Sequence, residues 1–204
     1  MTTLTDIGGP GGIAAVVVGG SAGAIDALSA LLAGLPVDFA PPIVVVVHLP
    51  RQRPSSLAEA LAYRCGWPVV EVEDKQPIRP GTVHVAPPDY HLLVDAGPAL
   101  ALTVDAAVNF SIPSIDVLFE SAVDVYGVRV AGVVLSGAND DGARGLAAIG
   151  RAGAPTFVQA PAEAGVPTMP EAAIAACPGA LVAPVRAIAS ALAVLAAPPT
   201  ETPA

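Results

Sequence analysis

Residues 13–23 read Ile-Ala-Ala-Val-Val-Val-Gly-Gly-Ser-Ala-Gly, and this stretch decides the fold that the sequence predicts. An unbroken apolar run that ends in glycine is typical of a buried parallel strand. The glycines allow a sharp turn, and a helical pattern begins at Ala24. Ser21 stands at the tip of the turn, so we expect it above the carboxyl edge of a sheet, where open α/β folds bind ligands.

The serine turn, residues 19–23, fits three functions when it is taken alone. Gly19, Ser21 and Gly23 match the G-x-S-x-G pattern of a nucleophile elbow. A phosphate bound at the helix N-terminus is the second possibility, and a plain turn in which Ser21 caps the helix is the third. The dinucleotide fingerprint is not met, and no lysine follows as in a Walker loop. These five residues leave the alternatives open.

Apolar runs and helical patterns alternate along the rest of the chain. This alternation predicts an α/β protein with a doubly wound, mostly parallel sheet and helices on both faces, a Rossmann-like three-layer arrangement. Short strands around Pro87-Pro88-Asp89 predict a small antiparallel excursion near residues 82–104. We expect one domain over residues 13–197, a flexible Gly- and Thr-rich segment at 1–12 and a disordered Pro/Thr tail at 198–204.

Composition excludes several classes of protein. The net charge is −9 with only nine Lys and Arg, which argues against a nucleic-acid partner. Although 53% of residues are hydrophobic, no apolar stretch is long enough for membrane insertion. Cys65 and Cys177 are isolated, without metal spacing, and are expected to be packing residues in a reduced, cytoplasmic protein. We expect no metal and no cofactor.

Three buried strands are each followed by a polar residue suited to one chemical role. Ser21 follows the first strand, His48 the second, and Asp140 with Asp141 the strand near residues 129–135. Parallel strands place their carboxyl ends at one edge, so these side chains can converge as a hydroxyl, a base and an orienting acid. The alternative for His48 is a histidine packed in the core. The alternatives for the two aspartates are a helix cap and a turn that binds a metal or a phosphate.

Six ordered blocks resemble the catalytic domain of bacterial chemotaxis protein-glutamate methylesterases, the CheB-type domain. The resemblance covers about residues 13–195, and six blocks in order are far more specific than G-x-S-x-G alone. The blocks are residues 18–23, 44–50, 80–87 with His91, 113–119, 135–142 and Met169-Pro170.

The resemblance implies a serine esterase that removes methyl esters from glutamates on the cytoplasmic helices of chemoreceptors and releases methanol. Many relatives also deamidate receptor glutamine. Carried over by position, Ser21 is the nucleophile, His48 the general base and acid, and Asp141 the orienting acid, with Asp140 as the substitute candidate. The backbone amides of Ala138 and Ala22 are the implied oxyanion donors.

The chain departs from the family pattern around the cleft. Ala22 stands where the family commonly has Thr, Ala138 and Asn139 replace Met-Gly, and Ile112 replaces an Arg. These positions lie around the substrate cleft, so we expect the replacements to affect substrate identity and rate rather than reaction class. A catalytically altered relative that binds a receptor or partner helix is the alternative function, and a nucleotide-binding module is a third. With no receiver domain before the first strand, we expect a stand-alone domain, constitutively active or controlled by a separate protein.

Overall fold

The computed structural model describes residues 12–49, 56–97 and 99–197. The flexible ends predicted at 1–12 and 198–204 therefore lie outside the described residues, except for Gly12. Within the described ranges, no helix has both the length and the apolar character needed to cross a membrane.

Ten strands and six α-helices make up the described part of the chain. The strands are β1 (Ala15–Gly20), β2 (Ile43–Val47), β3 (Val69–Glu71), β4 (Gln76–Pro77), β5 (Val83–Val85), β6 (His91–Asp95), β7 (Ala99–Thr103), β8 (Val130–Val134), β9 (Thr156–Gln159) and β10 (Leu181–Ala183). The helices are α1 (Ala24–Gly34), α2 (Leu57–Cys65), α3 (Ile115–Tyr126), α4 (Ala143–Arg151), α5 (Thr168–Ala176) and α6 (Val185–Ala196).

The large sheet is parallel and has the order β10-β9-β8-β1-β2-β5-β3. Strand β1 lies in its middle, paired with β2 on one side and with β8 on the other. The chain first builds outward from β1 through β2 and later crosses to β8, so the direction of winding reverses at β1. Ligands of doubly wound sheets bind at the carboxyl end of such a switch point. This confirms the predicted fold class and places the serine turn at that crevice.

The small antiparallel sheet differs in one strand from the predicted excursion. It has the order β4-β7-β6 and begins at Gln76, whereas Val83–Val85 pairs in parallel with β2 and β3. The predicted excursion near residues 82–104 therefore contains β6 and β7, while residues 83–85 belong to the parallel sheet. All three residues of β5 are buried, and so short a run does not reveal from sequence which strands flank it.

Both faces of the large sheet are covered, which explains why its strands are continuous apolar runs rather than alternating ones. On β1, Val16 and Val18 belong to a core built with α1, α2 and α6. Val17, between them, points the other way into a second core built with α3, α4, α5 and the antiparallel sheet. The predicted helices on both faces are confirmed.

Gly19 allows α3 to approach the carboxyl end of β1 closely. A Cβ at Gly19 would lie 2.2 Å from Cγ2 of Ile115, the first residue of α3. A Cβ at Gly142, just before α4, would lie 2.6 Å from the same methyl group. The Ile115 side chain is therefore packed between two positions that only glycine can occupy without displacement.

We predict that Gly19→Ala lowers the free energy of unfolding by about 1–3 kcal/mol, because the added methyl overpacks a rigid contact between a central strand and a helix. Urea unfolding followed by circular dichroism measures this change. Gly179→Ala is the matched control, since a Cβ there meets no atom within 4 Å and its φ is not positive. Equal midpoints for the two variants would contradict the prediction.

Candidate active site

Backbone hydrogen bonds hold the serine turn in place, and the Ser21 hydroxyl has no hydrogen-bond partner among the described residues. The Ser21 amide donates to the Ser136 carbonyl (2.9 Å), and the Ser21 carbonyl accepts from the Ala24 amide (3.0 Å). Gly23, with φ of 78°, occupies the N-cap position of α1, where no side chain caps the helix. Ser21 as a helix cap is therefore excluded. Its hydroxyl makes no hydrogen bond to any residue that the structure describes.

Ser136, which follows β8 after Leu135, holds the serine turn in place. Its buried hydroxyl donates to the Ala22 carbonyl (2.7 Å) and accepts from the Val166 amide (2.9 Å). A Cβ on Gly23 would lie 2.7 Å from the same oxygen, so this contact also requires glycine there. This role was not predicted, although Ser136, like Ser21, lies close to the carboxyl end of a buried strand.

His48 lies beside the serine turn at the end of the neighbouring strand. Its amide donates to the Gly20 carbonyl (3.0 Å), which continues the pairing of β1 and β2. Its ring reaches away from the core: Nε2 lies 2.9 Å from Oδ2 of Asp141, and 14% of the side chain is exposed. The alternative of a histidine packed in the core is excluded by this hydrogen bond and partial exposure.

Asp141 is a fully buried carboxylate held at the N-terminus of α3. Besides His48, it accepts hydrogen bonds from the Ser114 hydroxyl (2.8 Å) and from the backbone amides of Ile115 (2.7 Å) and Asp116 (3.2 Å). Burial alone would raise the pKa of Asp141, but these donors outweigh it and lower the pKa below its ordinary value. Asp141 is therefore ionised at neutral pH.

The choice between the two aspartates of the acidic turn follows from their burial. Asp140 is exposed, whereas Asp141 is buried and bonded to His48. Neither caps α4, the helix that follows, because Gly142 occupies its N-cap without a side-chain hydrogen bond. Asp141 instead caps α3, which is distant in sequence. The expectation that the carboxyl-edge residues converge holds for Asp141 and His48.

Ser21 and His48 line one open cleft of about 430 Å³ at the carboxyl edge of the sheet. Ala22, Leu49 and Arg64 also line it, and Arg64 forms an exposed ion pair with Asp26 (2.6 Å). The backbone amides of Ala22 and Ala138, both exposed residues, have no acceptor among the described residues. They are thus available to bind an oxyanion.

His91 is buried in this region and contacts the residue that binds Asp141. Its Nδ1 accepts from the Ser114 amide (3.1 Å), and its Nε2 donates to the Ala106 carbonyl (3.2 Å). Ser114 in turn donates to Asp141. His84, by contrast, lies within β5, where its Nε2 accepts from the Arg79 amide (3.1 Å). Both histidines are buried.

Three comparisons with known proteins identify relatives of this chain. The sequence model described as CheB methylesterase matches residues 16–192. A protein of Leptospira interrogans, provisionally named protein-glutamate methylesterase/protein-glutamine glutaminase, is 43% identical over 162 residues, which are 79% of this chain and 84% of that protein. A protein-glutamate methylesterase/protein-glutamine glutaminase of Dechloromonas aromatica is 41% identical over 71% of this chain, which spans only 42% of that relative.

The crystal structure of the CheB methylesterase catalytic domain of Thermotoga maritima superposes with a TM-score of 0.84 at 30% identity. The match covers 90% of this chain and 98% of the Thermotoga chain. A family match over most of the chain, close relatives and a shared fold lead to one conclusion: the chain belongs to the CheB methylesterase family.

Proposed function

We propose that this chain is a serine hydrolase that removes methyl esters from glutamate side chains and releases methanol. The observation that carries the proposal is the hydrogen bond of 2.9 Å between the buried Asp141 and His48, which lines the same cleft as Ser21. A hydroxyl with no hydrogen-bond partner among the described residues, an imidazole and an ionised carboxylate supply the three roles of nucleophilic acyl transfer.

Asp141 sets the tautomer of His48. An ionised carboxylate only accepts hydrogen bonds, so Nε2 of His48 carries the proton and Nδ1 is the basic nitrogen. Nδ1 takes the proton of the Ser21 hydroxyl as its oxygen attacks the ester carbonyl. The protonated ring then donates to the departing methoxide, which leaves as methanol. Water, activated by the same nitrogen, hydrolyses the acyl-enzyme and releases the glutamate carboxylate.

The tetrahedral oxyanion is stabilised by the amides of Ala22 and Ala138. Ala22 follows β1 and lines the cleft, Ala138 lies in the turn that follows β8, and neither amide has an acceptor among the described residues. Ser136 holds the carbonyl of Ala22 and so fixes the peptide planes of the serine turn. A donor of this kind contributes about 10²–10³ in rate when it is preorganised.

The family relationship supports the proposal that the substrate is a protein. Relatives in Leptospira and Dechloromonas carry the name protein-glutamate methylesterase/protein-glutamine glutaminase. We therefore assign methylated chemoreceptor helices in the cytoplasm as the substrate, with deamidation of receptor glutamine as a second activity, since both proceed through the same acyl-enzyme. A binding module without catalysis is the weaker candidate, because it leaves the uncommitted Ser21 hydroxyl and the His48–Asp141 pair unexplained.

Ser21→Ala is expected to abolish labelling by a fluorophosphonate probe and to lower methanol release from methylated receptor membranes by at least about 10³-fold, because the nucleophile is lost. Ser190→Ala, an exposed position on α6, is the control and keeps full activity. A wild-type protein that the probe does not label would contradict the enzyme proposal and favour the binding module.

Replacement of the two neighbouring aspartates by asparagine separates the catalytic acid from its neighbour. We expect Asp141→Asn to lower kcat about 10³–10⁴-fold, since the wrong His48 tautomer is then stabilised. Asp140→Asn changes one exposed group and keeps activity. Methanol release measures both. Full activity in Asp141→Asn with loss in Asp140→Asn would reverse the assignment.

The lowered pKa of Asp141 also predicts how stability depends on pH. Since its pKa in the folded protein lies below the ordinary value of 3.8, ionised Asp141 stabilises the fold at neutral pH. That stabilisation is lost as pH falls below 3.8 through the folded pKa. The difference in unfolding free energy between wild type and Asp141→Asn should therefore be largest near pH 7 and shrink in acid. Urea titrations across pH measure it, and a constant difference would contradict the prediction.

A further inference from the structure

Phe110 is a fully exposed aromatic side chain at the tip of a tight turn beside the candidate active site. Its relative exposure is 103%. Val108 and Ser111 close the turn with two backbone hydrogen bonds, of 3.3 and 2.9 Å. The two residues at the tip, Asn109 and Phe110, have φ values of 49° and 60°.

The backbone of this turn favours glycine at position 110. A two-residue turn in which both central residues have positive φ prefers Asn-Gly, and a bulky side chain in that conformation is strained. Asn109 fits the preference, whereas Phe110 does not. The ring is also fully exposed, so it gains no packing in the part of the chain that the structure describes. Local stability therefore does not explain a phenylalanine here.

The turn is tied to the residues that hold the candidate catalytic acid. The Asn109 side chain donates to Oδ2 of Asp116 (2.9 Å), and Oδ1 of Asp116 accepts from the Gly142 amide, next to Asp141. On the other side, the Asn139 side chain donates to the Ser111 hydroxyl (3.5 Å). The position of Phe110 is thus set by the same elements that set Asp141.

The residues that precede Phe110 in the chain are mostly apolar as well. Residues 104–110 read Val-Asp-Ala-Ala-Val-Asn-Phe, in which Asp105 is the only charged residue. Val104 is 78% exposed. These residues form an apolar rim, defined here as residues 104–110, next to the acidic turn.

We propose that Phe110 docks the protein that carries the ester, by packing against apolar side chains of the chemoreceptor helix bundle. The inference rests on the proposed function and specifies how the substrate is bound. A glutamyl ester is attached to a folded helix, so its entry into the cleft brings the surface of that helix over the rim. Exposed aromatic residues that become buried are frequent hot spots of such interfaces. A small ester enters the cleft without touching the rim.

Phe110→Gly tests this inference, because it removes the ring and supplies the residue that the turn prefers. We expect kcat/KM on methylated receptor membranes to fall roughly tenfold, while hydrolysis of p-nitrophenyl acetate and fluorophosphonate labelling stay at the wild-type level. The melting temperature should equal or exceed that of wild type. Val37→Ala is the control: Val37 is 100% exposed, between α1 and β2 at the opposite edge of the sheet, and its loss should change neither substrate.

Binding of the receptor is measured separately, with Ser21→Ala and the Ser21→Ala/Phe110→Gly double variant on the same membranes. Weaker binding of the double variant supports docking by Phe110 even if wild type releases no methanol, a result that would overturn the proposed function alone. Equal binding and equal kcat/KM on receptors would overturn the docking inference alone. Equal losses on receptor and p-nitrophenyl acetate, or a lower melting temperature, would show that Phe110 acts on the chemistry or the fold and would also overturn it.

Discussion

The helices α3 and α4 exchange N-terminal caps: a buried carboxylate at the start of each helix accepts hydrogen bonds from backbone amides at the start of the other. Asp141, just before α4, accepts from the first amides of α3, while Asp116, in the first turn of α3, accepts from the Gly142 and Gly145 amides at the start of α4. Each carboxylate satisfies amides that a helix leaves unpaired, and each lies at the positive end of a helix dipole. A cap of this kind contributes about 1 kcal/mol. Because both caps are buried, neither helix can shift without leaving polar groups unsatisfied.

The exchange of caps couples the candidate active site to the packing of the sheet. Asp141 is fixed by α3, and α3 is fixed against β1 by Ile115, which fills the space above Gly19 and Gly142. His48 is bound to Asp141 and continues the pairing of the next strand. The orientation of the base therefore depends on a helix–sheet distance rather than on a single rotamer. This is a rigid support of the sort that preorganised catalysis requires.

The pKa values of the two capping carboxylates, Asp141 and Asp116, are shifted in opposite directions. The pKa of Asp141 is lowered because the donors around it outweigh its burial. The pKa of Asp116 is raised, chiefly by burial and further by the negative charge of Asp141. Asp116 also accepts from Asn109, and Arg144 lies 3.6 Å away. The two carboxylates thus share one structural role, while their surroundings shift their pKa values in opposite directions.

The sequence alone predicted the strands and helices and the convergence of residues that are distant in the chain. Long apolar runs indicate buried parallel strands, and the polar residues that follow such strands lie at the same edge of the sheet. The runs before Ser21 and His48 are β1 and β2, and Asp141 does lie next to His48. The position of Val83–Val85 could not be predicted, since three buried residues fit a parallel strand and an antiparallel one equally well. Ser21 also remained a possible helix cap until its backbone geometry was known.

By itself, then, the sequence determined the order of strands and helices, the chemistry available at the carboxyl edge and, through six blocks of residues, the family. Only the tertiary structure decided which aspartate meets His48, that Ser136 clamps the serine turn, that His91 supports Ser114 and that Phe110 stands exposed. The physical reason is that periodicity encodes which face of an element is buried. Hydrogen bonds between elements depend on distances that are fixed only when the helices and the sheet pack together.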